Sequence, residues 1–206
     1  MGQLQLNEKP YDDFYGRNID QMPALIAEGR VPMSVNGLMQ RRLEVQDKGR
    51  FSDEVRSAWH DNYFDTGDGV VYHPDGRIKV VHDAKFLREL NPQSKLNNGA
   101  LVLPDGTYDS LAGQEFTREE ISKYVERSLS SKEAKSNPLW QALARDPNLL
   151  NDYVDFVFAE KTKRRFSYDQ NMGLYVADKP KDEQGRSWYV LWLEDRSSAD
   201  GRDRLV

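Results

Sequence analysis

Apolar residues in the first part of the chain recur at intervals of three and four, the spacing that puts side chains on one face of a helix. Three segments show this pattern, and each follows a residue whose side chain can cap a helix N-terminus. The segments are residues 22–26 after Asp20, residues 35–39 after Ser34, and residues 55–63 after Ser52. The sequence therefore predicts three short helices that follow a polar, extended lead-in.

Two turn motifs of the same composition come next. Residues 70–72 and 78–81 are rich in β-branched side chains, and His73-Pro74-Asp75-Gly76 between them contains the proline and glycine of a tight reversal. The Pro-Asp-Gly turn occurs again at residues 104–106, between two further β-prone segments. We expect an antiparallel hairpin around each of the two turns.

The remaining start signals predict helices. Thr117-Arg118-Glu119-Glu120 has the form of a capping box. Asn137-Pro138 and Asp146-Pro147 each join a capping side chain to a proline at the first helical position. We expect a helix behind each of these signals, and a further short helix behind Asp83, between the two hairpins.

Near the C-terminus, residues 188–193 read Trp-Tyr-Val-Leu-Trp-Leu and are apolar on both faces of a strand. Such a strand is either covered on both sides or presents one face to a partner. We therefore take Trp188, Val190 and Trp192 as candidate interface residues, with self-association as one use of that face. From Asp195 onward the chain is charged, and we expect a frayed tail.

These elements indicate an α+β fold in which short helices pack on antiparallel β-hairpins. The 206 residues suit a single domain, residues 1–206, that is long enough to bury a core. A subdivision remains open, with helices and two hairpins in residues 19–112 and a helical segment plus a C-terminal hairpin in residues 116–194.

Composition narrows the classes of partner. The chain is 38% hydrophobic and 31% charged, with a formal net charge of −5 and no cysteine. The charge gives no global attraction to nucleic acid or to an anionic membrane, and the missing cysteines exclude disulfides, thiolate metal sites and cysteine nucleophiles. Without an apolar signal core or a run of membrane-spanning length, we expect a cytoplasmic protein with no membrane partner.

The densest group of potential metal ligands surrounds the first hairpin. Carboxylates in such a group suit Mg²⁺ or Mn²⁺, and the arrangement would fit a metal-dependent hydrolase with a divalent ion as cofactor. Aspartate is equally typical of turns, where its side chain bonds the local backbone. The candidate ligands are His60, Asp61, Asp65, Asp68, His82 and Asp83.

Part of this stretch also resembles a motif of the adenylate-forming enzymes, the acyl-coenzyme A synthetases and their relatives. The resemblance lies in Tyr63-Phe64-Asp65-Thr66-Gly67-Asp68, followed by Asp75-Gly76 at a hairpin turn, and it implies that Asp68 bonds the ribose hydroxyls of ATP. The arginine that should follow the hairpin is replaced by Val81-His82-Asp83, and the family's phosphate loop is absent from the sequence. We therefore do not assign the chain to that family.

Two features would suit nucleic acid. Three short helices followed by a hairpin is the element order of a winged helix-turn-helix, although the helix behind Ser52 carries more acidic than basic residues. A basic cluster at residues 161–165 precedes Phe166 and Tyr168, which would pair phosphate contacts with base stacking. Cations at a helix C-terminus also complement the helix dipole. The candidate residues are Lys161, Lys163, Arg164 and Arg165.

No complete catalytic, metal or nucleotide motif is present, so the sequence leaves open whether the chain is an enzyme. The leading hypothesis is a soluble binding or interaction protein, with a protein partner or a second copy of itself. The alternatives are the metal-dependent hydrolase and the nucleic-acid-binding protein.

Overall fold

A computed structural model describes residues 11–60, 64–97, 100–117, 119–120, 130–163, 189–191 and 203–205. Helices and antiparallel strands are interspersed along the chain, which confirms the α+β class. Among these residues, six strands form one sheet and two form another. The strands are β1 Phe14–Gly16, β2 Gly69–Tyr72, β3 Ile78–Val81, β4 Leu96–Asn97, β5 Ala100–Leu101, β6 Gln114–Phe116, β7 Tyr189–Leu191 and β8 Asp203–Leu205.

The helices of the described residues are short apart from the last. A 3-10 helix covers Lys85–Glu89. The α-helices are α1 Asn18–Ala27, α2 Val35–Glu44, α3 Asp53–His60, α4 Thr107–Ser110, α5 Ser131–Lys135, α6 Pro138–Ala144 and α7 Pro147–Lys163.

Most of the predicted caps are present. The Ser34 hydroxyl accepts from the Gly37 N–H at 3.1 Å at the start of α2. The Asn137 side chain accepts from the N–H groups of Leu139 and Trp140 at the start of α6. The Asp146 carboxylate accepts from the Asn148 N–H at 2.8 Å at the start of α7. Local side-chain chemistry therefore fixes where these helices begin.

Two predicted caps are wrong. Asp20 lies inside the first turn of α1, where it pairs with Arg17 instead of capping the helix. Asp83 does not cap the 3-10 helix, because it adopts a left-handed backbone (φ 50°) and its carboxylate pairs with Arg88. Both carboxylates form ion pairs with nearby arginines and do not accept from the backbone N–H groups of a helix.

The six-stranded sheet has the order β4-β5-β7-β2-β3-β6, and every described pairing in it is antiparallel. The first predicted hairpin is confirmed as β2 and β3, with Val70 opposite Val80. Strand β7, from near the C-terminus, lies between β5 and β2. Both hydrogen-bonding edges of β7 are therefore filled by strands of the same chain.

The second predicted hairpin is wrong, because its first strand does not pair with the segment that follows the turn. Strand β5 instead pairs antiparallel with the preceding strand β4, so that Leu101 lies opposite Leu96. The chain after the second Pro-Asp-Gly turn becomes helix α4, because Gly106 has a left-handed backbone (φ 79°) that leads into a helical turn. Tyr108 on that turn is fully buried, and its burial holds the turn against the sheet.

Alternate residues of β2 and β3 face two separate parts of the core. Val70 and Val80 pack with residues of α6 and α7, whereas Val71 and Val81 pack with residues of α1 and the 3-10 helix. The central hairpin is thus covered on both faces. The tail beyond residue 195, expected to be frayed, contributes β8, which pairs with β1.

Candidate functional site

Asp68 lies directly before β2, and its carboxylate is a buried hydrogen-bond acceptor. One oxygen, Oδ2, accepts from the Val35 N–H at 2.8 Å. The other, Oδ1, accepts from the Asp83 N–H at 3.0 Å and from Nη2 of Arg145 at 2.9 Å. The side chain is fully shielded from solvent. One carboxylate therefore joins the start of α2, the end of β3 and the junction of α6 with α7.

The glycine before Asp68 lets the backbone lie close to the neighbouring segments on both sides. The Gly67 N–H donates to the Met33 carbonyl at 2.7 Å, and the Gly67 carbonyl accepts from Ala84 at 2.8 Å. A Cβ at this position would lie 2.9 Å from the backbone oxygen of Pro32. The close approach explains why the loop that carries Asp68 has glycine there.

Two donors to Asp68 have unusual backbone geometry. Asp83 (φ 50°) and Arg145 (φ 60°) are the non-glycine residues of the described chain with left-handed backbones. Such backbones are strained for residues with a Cβ, and the surrounding structure must hold them in place. The Asp68 carboxylate supplies part of that hold at both positions.

His82 contacts the same carboxylate from another side. Its Nδ1 lies 3.5 Å from Oδ1 of Asp68, at the outer limit of a hydrogen bond, and this nitrogen is buried without a hydrogen-bond partner. Burial lowers the pKa of His82, the nearby Arg145 lowers it further, and Asp68 opposes both effects. Burial and Arg145 therefore favour the neutral imidazole over the charged one.

Asp65, the second buried carboxylate of the acidic stretch, serves a different contact. Its Oδ2 accepts from Nδ2 of Asn18 at 2.6 Å. Asn18 is the first residue of α1. Asp65 thus fixes the start of α1 to the loop before β2, as Asp68 fixes the start of α2.

His60 belongs to a third cluster. Its Nε2 lies 2.9 Å from the Arg42 carbonyl, and its ring meets Phe156 of α7 edge-on at 4.9 Å. Arg42 donates to the Trp59 carbonyl and to the Tyr153 hydroxyl. These contacts join α2, α3 and α7.

Of the six candidate metal ligands, the structure places the His82 side chain and the Asp83 backbone N–H against Asp68, while the Asp83 carboxylate pairs with Arg88. Asp65 and His60 make the contacts given above, and Asp61 lies outside the described residues. Within the part of the chain that the structure describes, no group of three or more histidine, aspartate or glutamate side chains could hold a metal ion.

The other candidate residues lie mostly beyond the described part of the chain. Arg164, Arg165, Trp188 and Trp192 are outside it. Lys161 and Lys163 are described only as backbone at the end of α7, and Val190 only as backbone in the middle of β7.

The tip of the first hairpin, predicted as a tight turn, also carries a polar cluster. His73 Nδ1 lies 2.6 Å from Asp75, and Arg77 Nε lies 2.8 Å from the same carboxylate. Although partial desolvation raises the pKa of Asp75, hydrogen bonds from Arg77 and His73 lower it to about 2. Lys79 donates to the Tyr108 carbonyl at 2.9 Å, so the cluster ties α4 to the hairpin.

Arg41 is buried in an aromatic cage. Its guanidinium carbon lies 4.7 Å from the ring centre of Tyr11, 4.9 Å from that of Phe51 and 5.4 Å from that of Trp59. It also donates to Glu44 at 2.8 Å. The cage fixes the segment before β1 to α2 and α3. The helical spacing of Trp59 indicates a core residue and gives no sign of the cage.

Arg145 is the residue of the Asp68 cluster that sequence reasoning missed. It follows α6 as a single arginine directly before the helix-start signal Asp146-Pro147, and no motif includes it. Helices commonly end in a left-handed residue, but glycine or asparagine is the usual one. Only the folded chain shows that this arginine reaches Asp68.

No helix in the described ranges combines the length and apolar character needed to cross a membrane. No protein-family model matches the chain, and no curated protein matches it. One solved structure is similar over 91% of this chain and 88% of its own, with 17% sequence identity and a TM-score of 0.59. It is described as "Accommodation of massive sequence variation in Nanoarchaeota by the C-type lectin fold". The chain shares the C-type lectin fold.

Proposed function

We propose that the chain is a non-catalytic binding protein built on a C-type lectin fold. The observation that carries this proposal is the use of Asp65 and Asp68. Both are buried and accept hydrogen bonds from the starts of helices, so they hold loops in place around the sheet. Rigid loops on a folded scaffold are the usual position of recognition residues.

The similar structure supports this use of the fold. That protein accommodates massive sequence variation, by its description. A scaffold of this kind requires its fold to be set by buried contacts that are independent of the surface side chains. In this chain the covered central hairpin and the Asp68 contacts would supply them, leaving exposed side chains to recognise a partner.

A metal-dependent hydrolase is less well supported. A carboxylate offers about four acceptor sites, and three donors already occupy Asp68. A metal ion on Asp68 would compete with two backbone N–H groups and with the charge of Arg145. Loss of those contacts would release the strained residues Asp83 and Arg145.

Self-association through the C-terminal strand remains part of the proposal. Because β5 and β2 fill both edges of β7, a partner cannot extend the sheet at that strand. A contact there would have to use side chains on a face of the strand. Trp188, Val190 and Trp192 are the candidates for such a contact.

A pair of assays on the purified full chain tests the proposal. Labelled protein is applied to protein and glycan microarrays, and turnover of p-nitrophenyl phosphate and p-nitrophenyl acetate is measured with and without Mg²⁺ or Mn²⁺. We expect saturable binding to one class of partner and no turnover above the buffer rate. Turnover that requires the metal and is lost in Asp65→Asn, but not in Asp20→Asn, would replace the binding proposal with the hydrolase.

A further inference from the structure

Arg145 is anchored at one end and open at the other. Its Nη2 donates to Oδ1 of Asp68, while the arginine side chain remains 40% exposed and that of Asp68 is fully buried. Nε and Nη1 have no hydrogen-bond partner among the described residues. An arginine held in this way keeps donors that face solvent in a fixed plane.

His82 has the same arrangement beside it. Its Nδ1 faces Oδ1 of Asp68 and is buried, whereas the side chain as a whole is 30% exposed. Nε2 makes no hydrogen bond within the described part of the chain. A neutral imidazole that carries its proton on Nδ1 can donate toward Asp68, which leaves Nε2 as an acceptor, so the donors that an anion would meet here are those of Arg145.

The backbone that carries Arg145 is also fixed. The Arg145 N–H donates to the Gln141 carbonyl at 3.0 Å, which closes the last turn of α6. The carbonyl of the preceding Ala144 accepts from Nδ2 of Asn36 at 2.5 Å. Contacts from α6, α2 and Asp68 therefore hold the guanidinium before any ligand arrives, and such preorganisation lowers the entropic cost of binding.

We propose that the outer edge of Arg145, beside His82, forms a recognition site for an oxyanion group, a carboxylate, sulfate or phosphate, carried by the partner of this protein. The site rests on the proposed binding function and gives it a chemical preference. The guanidinium fork of arginine matches the paired oxygens of these groups and donates charge-assisted hydrogen bonds to them.

The surrounding charges set the strength of the site. Asp68 balances the charge of Arg145, and the exposed carboxylate of Asp83 is paired with Arg88. The cluster is close to neutral, so a free ion is expected to bind weakly, with a dissociation constant on the order of 1–10 mM. A partner that carries the same group would add its own contacts.

The three histidines make the site measurable by NMR. The imidazole resonances of the full chain are followed at pH 7.5 during separate titrations with sodium acetate, sulfate and phosphate, with sodium chloride keeping the ionic strength constant. We expect a saturable shift at His82 and none at His60 or His73. A larger response to acetate than to sulfate and phosphate would identify the group as a carboxylate, and the reverse order would identify a tetrahedral anion.

Variants test the residues. Arg145→Gln should weaken binding at least tenfold, and Arg145→Lys should retain part of it. Arg30→Gln is the matched control, because Arg30 is also partly exposed and paired with carboxylates. His82→Gln keeps the contact between Arg145 and Asp68 and should bind the anion as the wild type does, with binding followed directly on the Arg145 side-chain resonances.

Three results would overturn the site. They are a shift of all three histidines by similar amounts, a linear response without saturation, and unchanged binding in Arg145→Gln. If the protein binds a partner on the arrays and Arg145→Gln binds it equally well, the binding function stands and this site does not. An anion response without any partner on the arrays would support the site and count against the proposed binding function.

Discussion

Arg145 and Asp68 are 77 residues apart in the sequence, and a guanidinium nitrogen of the first lies 2.9 Å from a carboxylate oxygen of the second. The contact links the loop before β2 to the junction between α6 and α7. The Asp68 side chain is fully buried, so the contact differs from a surface ion pair, which would contribute little to stability. It is the longest-range of the three hydrogen bonds that converge on this carboxylate.

Replacing Asp68 should destabilise the fold strongly. In Asp68→Ala, the N–H groups of Val35 and Asp83 and the guanidinium of Arg145 all lose their acceptor. We expect a loss of about 3–5 kcal/mol in the free energy of unfolding, because each buried donor left without an acceptor costs about 1–3 kcal/mol. Asp68→Asn keeps one carbonyl oxygen and should lose about 1–3 kcal/mol. Urea denaturation followed by circular dichroism measures both.

Asp20→Asn is the matched control for this experiment. Asp20 also pairs with an arginine, but the pair is exposed on the first turn of α1. Its replacement should leave the denaturation midpoint unchanged. Equal midpoints for wild type and Asp68→Asn would contradict the role of Asp68 as a buried acceptor.

Acidic pH should lower the free energy of unfolding through the protonation of His82. Burial, with a further contribution from Arg145, lowers the pKa of His82 in the folded state. The unfolded chain therefore binds a proton at pH values where the folded protein does not, and the free energy of unfolding falls as the pH drops below the ordinary histidine pKa of about 6.5. Urea denaturation between pH 8 and pH 5 should show this fall in the wild type and a smaller one in His82→Gln. A steeper fall in the variant would contradict it.

Local signals in the sequence predicted where several elements begin. Ser34, Asn137 and Asp146 cap α2, α6 and α7 through short-range hydrogen bonds, which depend only on residues two or three positions away. The hairpin at residues 70–81 is equally local, because its turn and its β-branched strands are adjacent. Such contacts can be read from a sequence without knowledge of the rest of the fold.

Contacts between distant segments were not readable in this way. The pairing of β1 with β8 joins the two ends of the described chain, and the charged composition of the tail gave no sign of it. The second Pro-Asp-Gly turn shows the same limit, since its strand pairs with an earlier segment and not with the following one. Tertiary packing decided the partner in both cases.

The candidate site likewise combines residues that the sequence indicated with contacts that it did not. Its acidic residues were identified because aspartates cluster around the first hairpin. Their role was decided by Asn18 and Arg145, which lie 47 and 77 residues away from the aspartates that they contact. Isolated polar residues of this kind have no pattern that a sequence could show.

Gly113→Ala should disrupt the edge of the sheet. A Cβ at Gly113 would lie 2.3 Å from the Val80 carbonyl oxygen and 2.9 Å from Cγ of Lys79, so β6 could not approach β3 as closely. We expect a loss of about 1–3 kcal/mol in the free energy of unfolding. Gly49→Ala is the control, because its Cβ would meet only the Asp47 side chain at 3.2 Å. A smaller loss for Gly113→Ala than for Gly49→Ala would contradict the close approach.

The aromatic cage around Arg41 should also be measurable. Arg41→Ala removes the cation that lies over Tyr11, Phe51 and Trp59, together with the packing of its alkyl chain. We expect a loss of about 2 kcal/mol, measured by urea denaturation with tryptophan fluorescence as the signal. Arg50→Ala is the control, since Arg50 also lies over Phe51 but is exposed, and its loss should stay within about 0.5 kcal/mol. Equal losses in the two variants would show that the cage adds nothing.

Divalent metal should leave the stability of the protein unchanged if Asp68 is the structural acceptor described above. A ligand that binds only the folded protein at about a hundred times its dissociation constant adds roughly 2.7 kcal/mol, which raises the thermal midpoint by several degrees. The oxygens of Asp68 already accept three hydrogen bonds, and a metal would have to displace them. After metal stripping, we therefore expect the same midpoint with and without Mg²⁺ or Mn²⁺. A rise of several degrees that disappears in Asp65→Asn, but persists in Asp20→Asn, would restore the metal site, with Asp61 as the next residue to replace.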